Sequence, residues 1–215
     1  MPMGAPDYWN HNVHYQPLIL RAVPPGCGTA LDIGCGDGML VRKLAERCAH
    51  VTGIDVDARM IALAREHTEN TSVSFVEADF IGYPETETGH FDFICANTSL
   101  HHMDFERALD NVARLLRPGG RAAVIGLARD ASPPDYLAGA AAVPIDRLYK
   151  EFRIERDSGA PIRDPDMSWG EVKRAARRIL PGVKYRRHLL WRYSLRWDKP
   201  TLGRTLGKTG ESADL

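Results

Sequence analysis

The chain has no surplus of either charge: 28 lysines and arginines are matched by 28 aspartates and glutamates. That balance excludes a global field able to recruit nucleic acid or an anionic membrane, although a local patch stays open. Cysteine is scarce too, and the four present, Cys27, Cys35, Cys48 and Cys95, lack CxxC spacing. Neither a zinc ribbon nor a dithiol redox motif is written here, and no metal is implied. Three of the four lie in apolar contexts, where cysteine behaves as a small hydrophobe, which fits a reducing, cytoplasmic setting. No run approaches the ~20 apolar residues of a membrane span. The first residues, "MPMGAPDYWNHNVHYQPLIL", lack the charged and then apolar order of an export signal. There is no internal repeat. A soluble, cytoplasmic protein is expected.

What is present is one sizeable core. With 215 residues and 44% hydrophobic content, residues 1–215 read as a single domain. Strand and helix patterns alternate from residue 29 onward. "TALDIG" reads as a buried strand, and "MLVRKLAERC" puts Leu40, Val41, Leu44 and Cys48 on one helical face. "HVTGID" repeats the strand signal, and Asp57 caps a helix carrying Met60, Ile61 and Ala64 inward. "VSFVEAD" and "HFDFICAN" are further strands. "DFERALDNVARLLRPGG" is a helix with Phe105, Ala108, Leu109, Val112 and Leu116 on one face, stopped by Pro118 and two glycines, and "RAAVIGL" is a fifth strand. This alternation implies parallel strands with helical crossovers, a doubly wound, Rossmann-like α/β sheet.

In such a sheet the ligand sits beyond the carboxyl ends of the strands. "ALDIGCGDGML" supplies the turn there. Gly34, Gly36 and Gly38 let the chain approach a ligand closely, and the next helix aims free N–H groups at an anion, carboxylate or phosphate. The spacing is GxGxG rather than the dinucleotide GxGxxG, and Met39 stands where the third glycine would be, which weakens a nicotinamide or flavin reading. Asp55, about twenty residues on, is placed to accept from ribose hydroxyls.

Taken in order, "LDIGCGDG", "GIDVD", "VEADF", "FDFICANTSLHHM" and "LLRPGGRAAVI" resemble the class I S-adenosylmethionine-dependent methyltransferases, small-molecule branch. The resemblance implies a seven-stranded sheet with an antiparallel last strand, and "GVKYRRHLL" and "YSLRWDK" read as two closing strands. It implies that Asp32 and the Gly34, Cys35, Gly36 and Gly38 backbone hold the methionine moiety of S-adenosylmethionine. Asp55 would take the ribose, with Val56 flanking the adenine. Asp79 would accept from the adenine amino group and Phe80 would pack by the ring, the rival being a helix cap plus a core aromatic. Asn97 would offer its backbone carbonyl to the donor's ammonium. The spent donor would be S-adenosylhomocysteine.

His101 and His102 follow the fourth strand and titrate in the range a general base needs. Neighbouring residues on a helix diverge, so one of them is expected to face the acceptor and the other to pack or cap. Residues 1–25 form the acceptor-side segment: Tyr8, Trp9, His11 and Tyr15 suit an apolar pocket with polar tips, the alternative being a helix that docks by its aromatics. About fifty residues separate the fifth and sixth strands, so 130–180 reads as a lid insertion. It offers two short helices broken at Pro144. A clearer helix follows, capped by Ser168 and Glu171 and striped by Trp169, Val172, Ala176 and Ile179. Its other face carries Lys173, Arg174, Arg177 and Arg178. With Lys184, Arg186, Arg187, Arg192 and Arg196, this makes the C-terminal third locally basic, a solvated surface more readily than an RNA track. Residues 203–215 read as a flexible tail. The leading expectation is methyl transfer to an oxygen or nitrogen of a small, partly apolar molecule by a monomer or homodimer. The alternatives are a methyltransferase for RNA or a carrier protein, and a non-catalytic nucleotide-binding protein.

Overall fold

The computed structural model describes residues 10–83, 89–133, 135–136, 164–188 and 190–201. After helix α1 (His11–Ala22) come β1 (Thr29–Ile33), α2 (Met39–Leu44), β2 (His50–Asp55), α3 (Ala58–Glu66) and β3 (Val73–Glu77). Then follow β4 (Phe91–Asn97), α4 (Phe105–Leu115), β5 (Leu116–Leu127), α5 (Trp169–Ile179), β6 (Lys184–Arg187) and β7 (Arg192–Asp198). The strands form one seven-stranded sheet in the order β3-β2-β1-β4-β5-β7-β6. Strands β1 to β5 pair in parallel and β7 runs antiparallel between β5 and β6. The doubly wound sheet with its reversed strand is thus observed.

Strand alternation separates two cores. Leu31, Ile33 and Ile94 point to the face covered by α4 and α5, against Leu109, Val112 and Trp169. Ala30, Phe93 and Ile125 point to the other face, against Ile19 of α1, Leu44 of α2 and Ile61 of α3. The helix starts follow local chemistry: Asp57 and Asp104 accept from Arg59 and Arg107 backbone N–H groups. At α5, Ser168 and Glu171 complete the expected capping box. One local expectation needs correction. "RPGG" is not a stop between elements, because β5 starts at Leu116, directly after α4, and includes it. The β4–β5 register slips there, Phe91 facing Leu116 and Phe93 facing Arg121, so the extra residues are absorbed as a bulge.

The two ends of the insertion are pinned. Arg129 N–H donates to the Met167 carbonyl at 2.9 Å, and Trp169 Nε1 donates to Asp130 at 2.8 Å. Arg187 of β6 lies 3.9 Å over the Trp169 ring and pairs with Asp130 and Asp135. Residues 137–163, with the expected Pro144 break, lie outside the described residues, as do Tyr8, Trp9 and the tail. Among the described residues no helix is long and apolar enough to cross a membrane.

Candidate functional site

At the carboxyl ends of β1, β2 and β4 the backbone gathers into a cradle. Gly34 and Cys35 N–H groups donate to the Ile54 carbonyl at 2.8 and 3.0 Å. Gly34, Gly36 and Gly38 all adopt positive φ, at 71°, 53° and 77°. Gly34 is also a close approach: a Cβ there would lie 2.3 Å from the Ser99 Cβ. Ser99 Oγ in turn donates to the Ile33 carbonyl, locking the β4 turn onto the β1 turn. At Gly36, by contrast, a Cβ would meet nothing within 4 Å among the described residues. The loop is clamped at its root and open at its tip.

Asp55 ends β2 beside that tip. Its Oδ2 accepts from Gly36 N–H at 2.8 Å and its Oδ1 from Asp57 N–H at 3.0 Å. A carboxylate has about four lone-pair sites, so both oxygens keep capacity for a pair of vicinal hydroxyls. The adjacent Val56 is 73% exposed, one of two large hydrophobic side chains so placed among the described residues. An apolar flank beside a free-edged carboxylate matches a base next to a ribose, so the residues present fit an adenosine group.

Asp32 lies beneath the loop rather than in it. It is 2% exposed, and the Cys95 thiol donates to it at 3.4 Å. Burial pushes its carboxyl up to about 7 against the pull of the Cys95 hydrogen bond, with the Asp55 charge adding to the rise. Burial likewise pushes the Cys35 thiol far up. Cys35 is therefore an inert neighbour of the loop, contributing its backbone.

At the next strand end, Asp79 Oδ1 accepts from Ile81 N–H at 3.0 Å, capping a short 3₁₀ turn. Phe80 is 3% exposed within the core on the α4 side. The expectation that its ring faces a base is corrected: the turn after Asp79 rotates it inward, which is the rival cap-and-core arrangement. Asp79 itself stays exposed with its other oxygen unused by that cap.

Asn97 ends β4 on the α1 face. Its Nδ2 donates to the Asn12 carbonyl at 3.1 Å, while its buried Oδ1 has no hydrogen-bond partner among the described residues. Thr98 follows with φ of 61°, an unusual conformation for a β-branched residue, and its hydroxyl too has no partner among the described residues. The two histidines occupy the 3₁₀ turn Leu100–His102. The expectation that they diverge is corrected: their ring centroids are 4.1 Å apart at an interplanar angle of 39°. A tight 3₁₀ turn running into extended Met103 keeps the rings together, and both are half-buried.

Of the acceptor-side residues, His11 is half-buried at the start of α1. Tyr15 is 6% exposed in the core beneath α1, edge-on to His14 at 4.9 Å and near His188 at 5.7 Å. Its expected place in a pocket wall is corrected to that of a docking aromatic. Two neighbours went unnoticed in the sequence. Asn12 Oδ1 accepts from Arg192 Nη2 at 2.9 Å, and Arg192 Nη1 donates to the Leu190 carbonyl at 3.0 Å. Arg192 is 8% exposed, so it leaves the solvated basic surface to which composition assigned it. Nothing in a row of arginines marks the one that turns inward.

Comparison with known proteins gives a consistent picture. A family profile described as "Methyltransferase domain" matches residues 30–120. An uncharacterized methyltransferase of Mycobacterium tuberculosis is 32% identical over 89% of this chain and 98% of its own length. An O-methyltransferase of Aspergillus nomiae is 40% identical over 49% of each chain. Among solved structures, the N-methyltransferase NodS of Bradyrhizobium japonicum in complex with S-adenosylhomocysteine covers 89% of both chains at 19% identity, with a TM-score of 0.61.

Proposed function

The chain belongs to the class I S-adenosylmethionine-dependent methyltransferases, and from that premise we propose that it methylates an oxygen or nitrogen nucleophile of a small, partly apolar molecule. The observation that carries the reading is the open, positive-φ tip at Gly36 bound to Asp55, with exposed Val56 beside it. Bound S-adenosylmethionine supplies an activated methyl on a sulfonium whose departure leaves a neutral thioether.

This chain's own residues then have four tasks. Asp55 accepts from the ribose hydroxyls while its Gly36 bond keeps the loop shaped. Val56 flanks the adenine, and the unused oxygen of Asp79 accepts from the exocyclic amine. The Gly34–Gly38 backbone, with Asp32 beneath it and Asn97 at its side, borders the methionine moiety. His101 or His102 takes the proton of an acceptor that arrives protonated, the remaining work being alignment and exclusion of water. His11 and α1 cover the acceptor side. The names of the Aspergillus and Bradyrhizobium proteins, an O- and an N-methyltransferase, are in keeping with either nucleophile.

The test is single-turnover transfer from methyl-labelled donor to a panel of small phenols and amines, with RNA and an acyl carrier protein alongside. Label on a small acceptor is expected. Replacing the base histidine by Ala should slow transfer about 10²- to 10⁴-fold with donor affinity nearly intact, and should remove the acid limb of the pH profile. Label confined to RNA or to protein would overturn the acceptor class.

A further inference from the structure

At the amino end of the sheet, opposite the glycine loop, two thiols stand side by side. Cys27 precedes β1 and Cys48 precedes β2, whose register pairs Thr29 with His50. That pairing continues backwards, because His50 N–H donates to the Gly28 carbonyl at 2.8 Å and Ala49 N–H to the Cys27 carbonyl at 3.0 Å. The two cysteines therefore lie on adjacent chains, and both enter the same apolar cluster. Such chains run about 4.8 Å apart, inside the ~4.4–6.8 Å window of Cα separations that a disulfide spans.

Both side chains are 5% exposed and belong to the same apolar cluster. The Cys27 thiol donates to the Thr29 carbonyl at 3.8 Å; interaction with Cys48 draws Cys27 below the ordinary thiol range, while the same interaction and burial push Cys48 up. Of the pair, Cys27 is the thiol whose ionisation is eased. Their chain neighbours Pro25, Gly26, Arg47 and Ala49 are all exposed, so both cysteines lie one residue from the surface along the chain. The other two cysteines are occupied elsewhere. Cys95 donates to Asp32, and the Cys35 sulfur lies against Gly53, where a Cβ would come within 2.9 Å of it.

We propose that Cys27 and Cys48 form a reversible disulfide on exposure to peroxide, closing a covalent ring that carries the glycine loop and α2. The Cys27 thiolate attacks one peroxide oxygen; the O–O bond breaks, leaving a sulfenic acid on Cys27 and releasing hydroxide. The Cys48 sulfur then attacks the sulfenic sulfur, the S–S bond forms, the S–O bond breaks, and the departing hydroxide leaves as water with the Cys48 proton. Two thiols are oxidised by two electrons and one peroxide is reduced to two waters. A dithiol reverses the step by exchange.

The full chain treated with hydrogen peroxide tests this by thiol titration and by mass mapping of a non-reducing digest. Free thiols should fall from four to two, a Cys27–Cys48 linked peptide should appear, and dithiothreitol should restore both. Cys48→Ser should lose the linked peptide and leave a sulfenic acid on Cys27 that dimedone traps; Cys35→Ser and Cys95→Ser should keep the link. Because the wild-type map needs no variant, a misfolded variant leaves the test intact. Retention of four thiols, a link through Cys35 or Cys95, or cross-links only between chains would overturn the proposal.

Discussion

The proposed donor and acceptor sides of the site are built by different means. On the donor side, β1, β2 and the turn after β4 shape the site with backbone: three positive-φ glycines, two N–H bonds to Ile54, and one carboxylate, Asp55, tied to Gly36. On the acceptor side, α1 is joined to β4 and β7 through side chains, Asn97 to Asn12 and Arg192 to Asn12. A backbone cradle tolerates few substitutions because its geometry depends on missing Cβ atoms. A side-chain network can be rewritten residue by residue. On the proposed assignment of the two sides, the donor is fixed by the fold while acceptor choice lies in exchangeable groups.

The largest expected effect is on the donor side. Gly34→Ala combines positive φ with a Cβ placed 2.3 Å from that of Ser99. It should destabilise the protein by about 3 to 5 kcal/mol, read by urea unfolding. Gly36→Ala, strained in φ but open in space, should cost only about 1 kcal/mol of stability. Equal costs at the two glycines would break the distinction between clamped root and open tip.

Asp32 comes next. Its carboxyl titrates at about 7 in the folded chain, above its ordinary value of 3.8. The native state therefore holds a proton that the unfolded chain has released. The contribution is fully present below about pH 4 and is lost as pH rises through about 7. Asp32→Asn should flatten that decline and stabilise the protein at pH 8 by up to about 3 kcal/mol, measured by denaturant unfolding across the same range. An unchanged pH profile would mean that Asp32 is solvated, with the cradle less closed from below than its burial indicates.

The smallest effect belongs to the acceptor side. Asn12→Ala removes the side-chain acceptor for Arg192 but keeps the backbone carbonyl that Asn97 uses. About 1 kcal/mol of stability should be lost, with faster hydrogen exchange confined to α1 and the start of β7. Exchange that quickens in the glycine loop as well would show that the two sides are one unit.

The same division governs how much the sequence discloses. Gly34, Gly36 and Asp55 are legible because backbone requirements leave a pattern at fixed spacing, and the capping box at Ser168 and Glu171 is legible because its partners are three residues apart. Phe80 and Tyr15 were placed against ligands, yet each is drawn into the core, since an aromatic beside a site and an aromatic beneath it look alike in one dimension. The tilted contact of the His101 and His102 rings depends on a 3₁₀ turn, which leaves no periodicity to read. Arg192 and Asn12 meet from opposite ends of the chain, a contact that local pattern cannot encode.

Asp55 and the glycine loop are proposed here as the nucleoside end of the donor site. Calorimetric titration of S-adenosylhomocysteine into the wild type and Asp55→Ala, with NAD as a counter-probe, tests it most directly. Measurable binding to the wild type is expected, weakened about 10- to 150-fold in the variant by loss of a charge-assisted contact, with no heat from NAD. Equal affinity of the two proteins for S-adenosylhomocysteine, or tight binding of NAD, would contradict it.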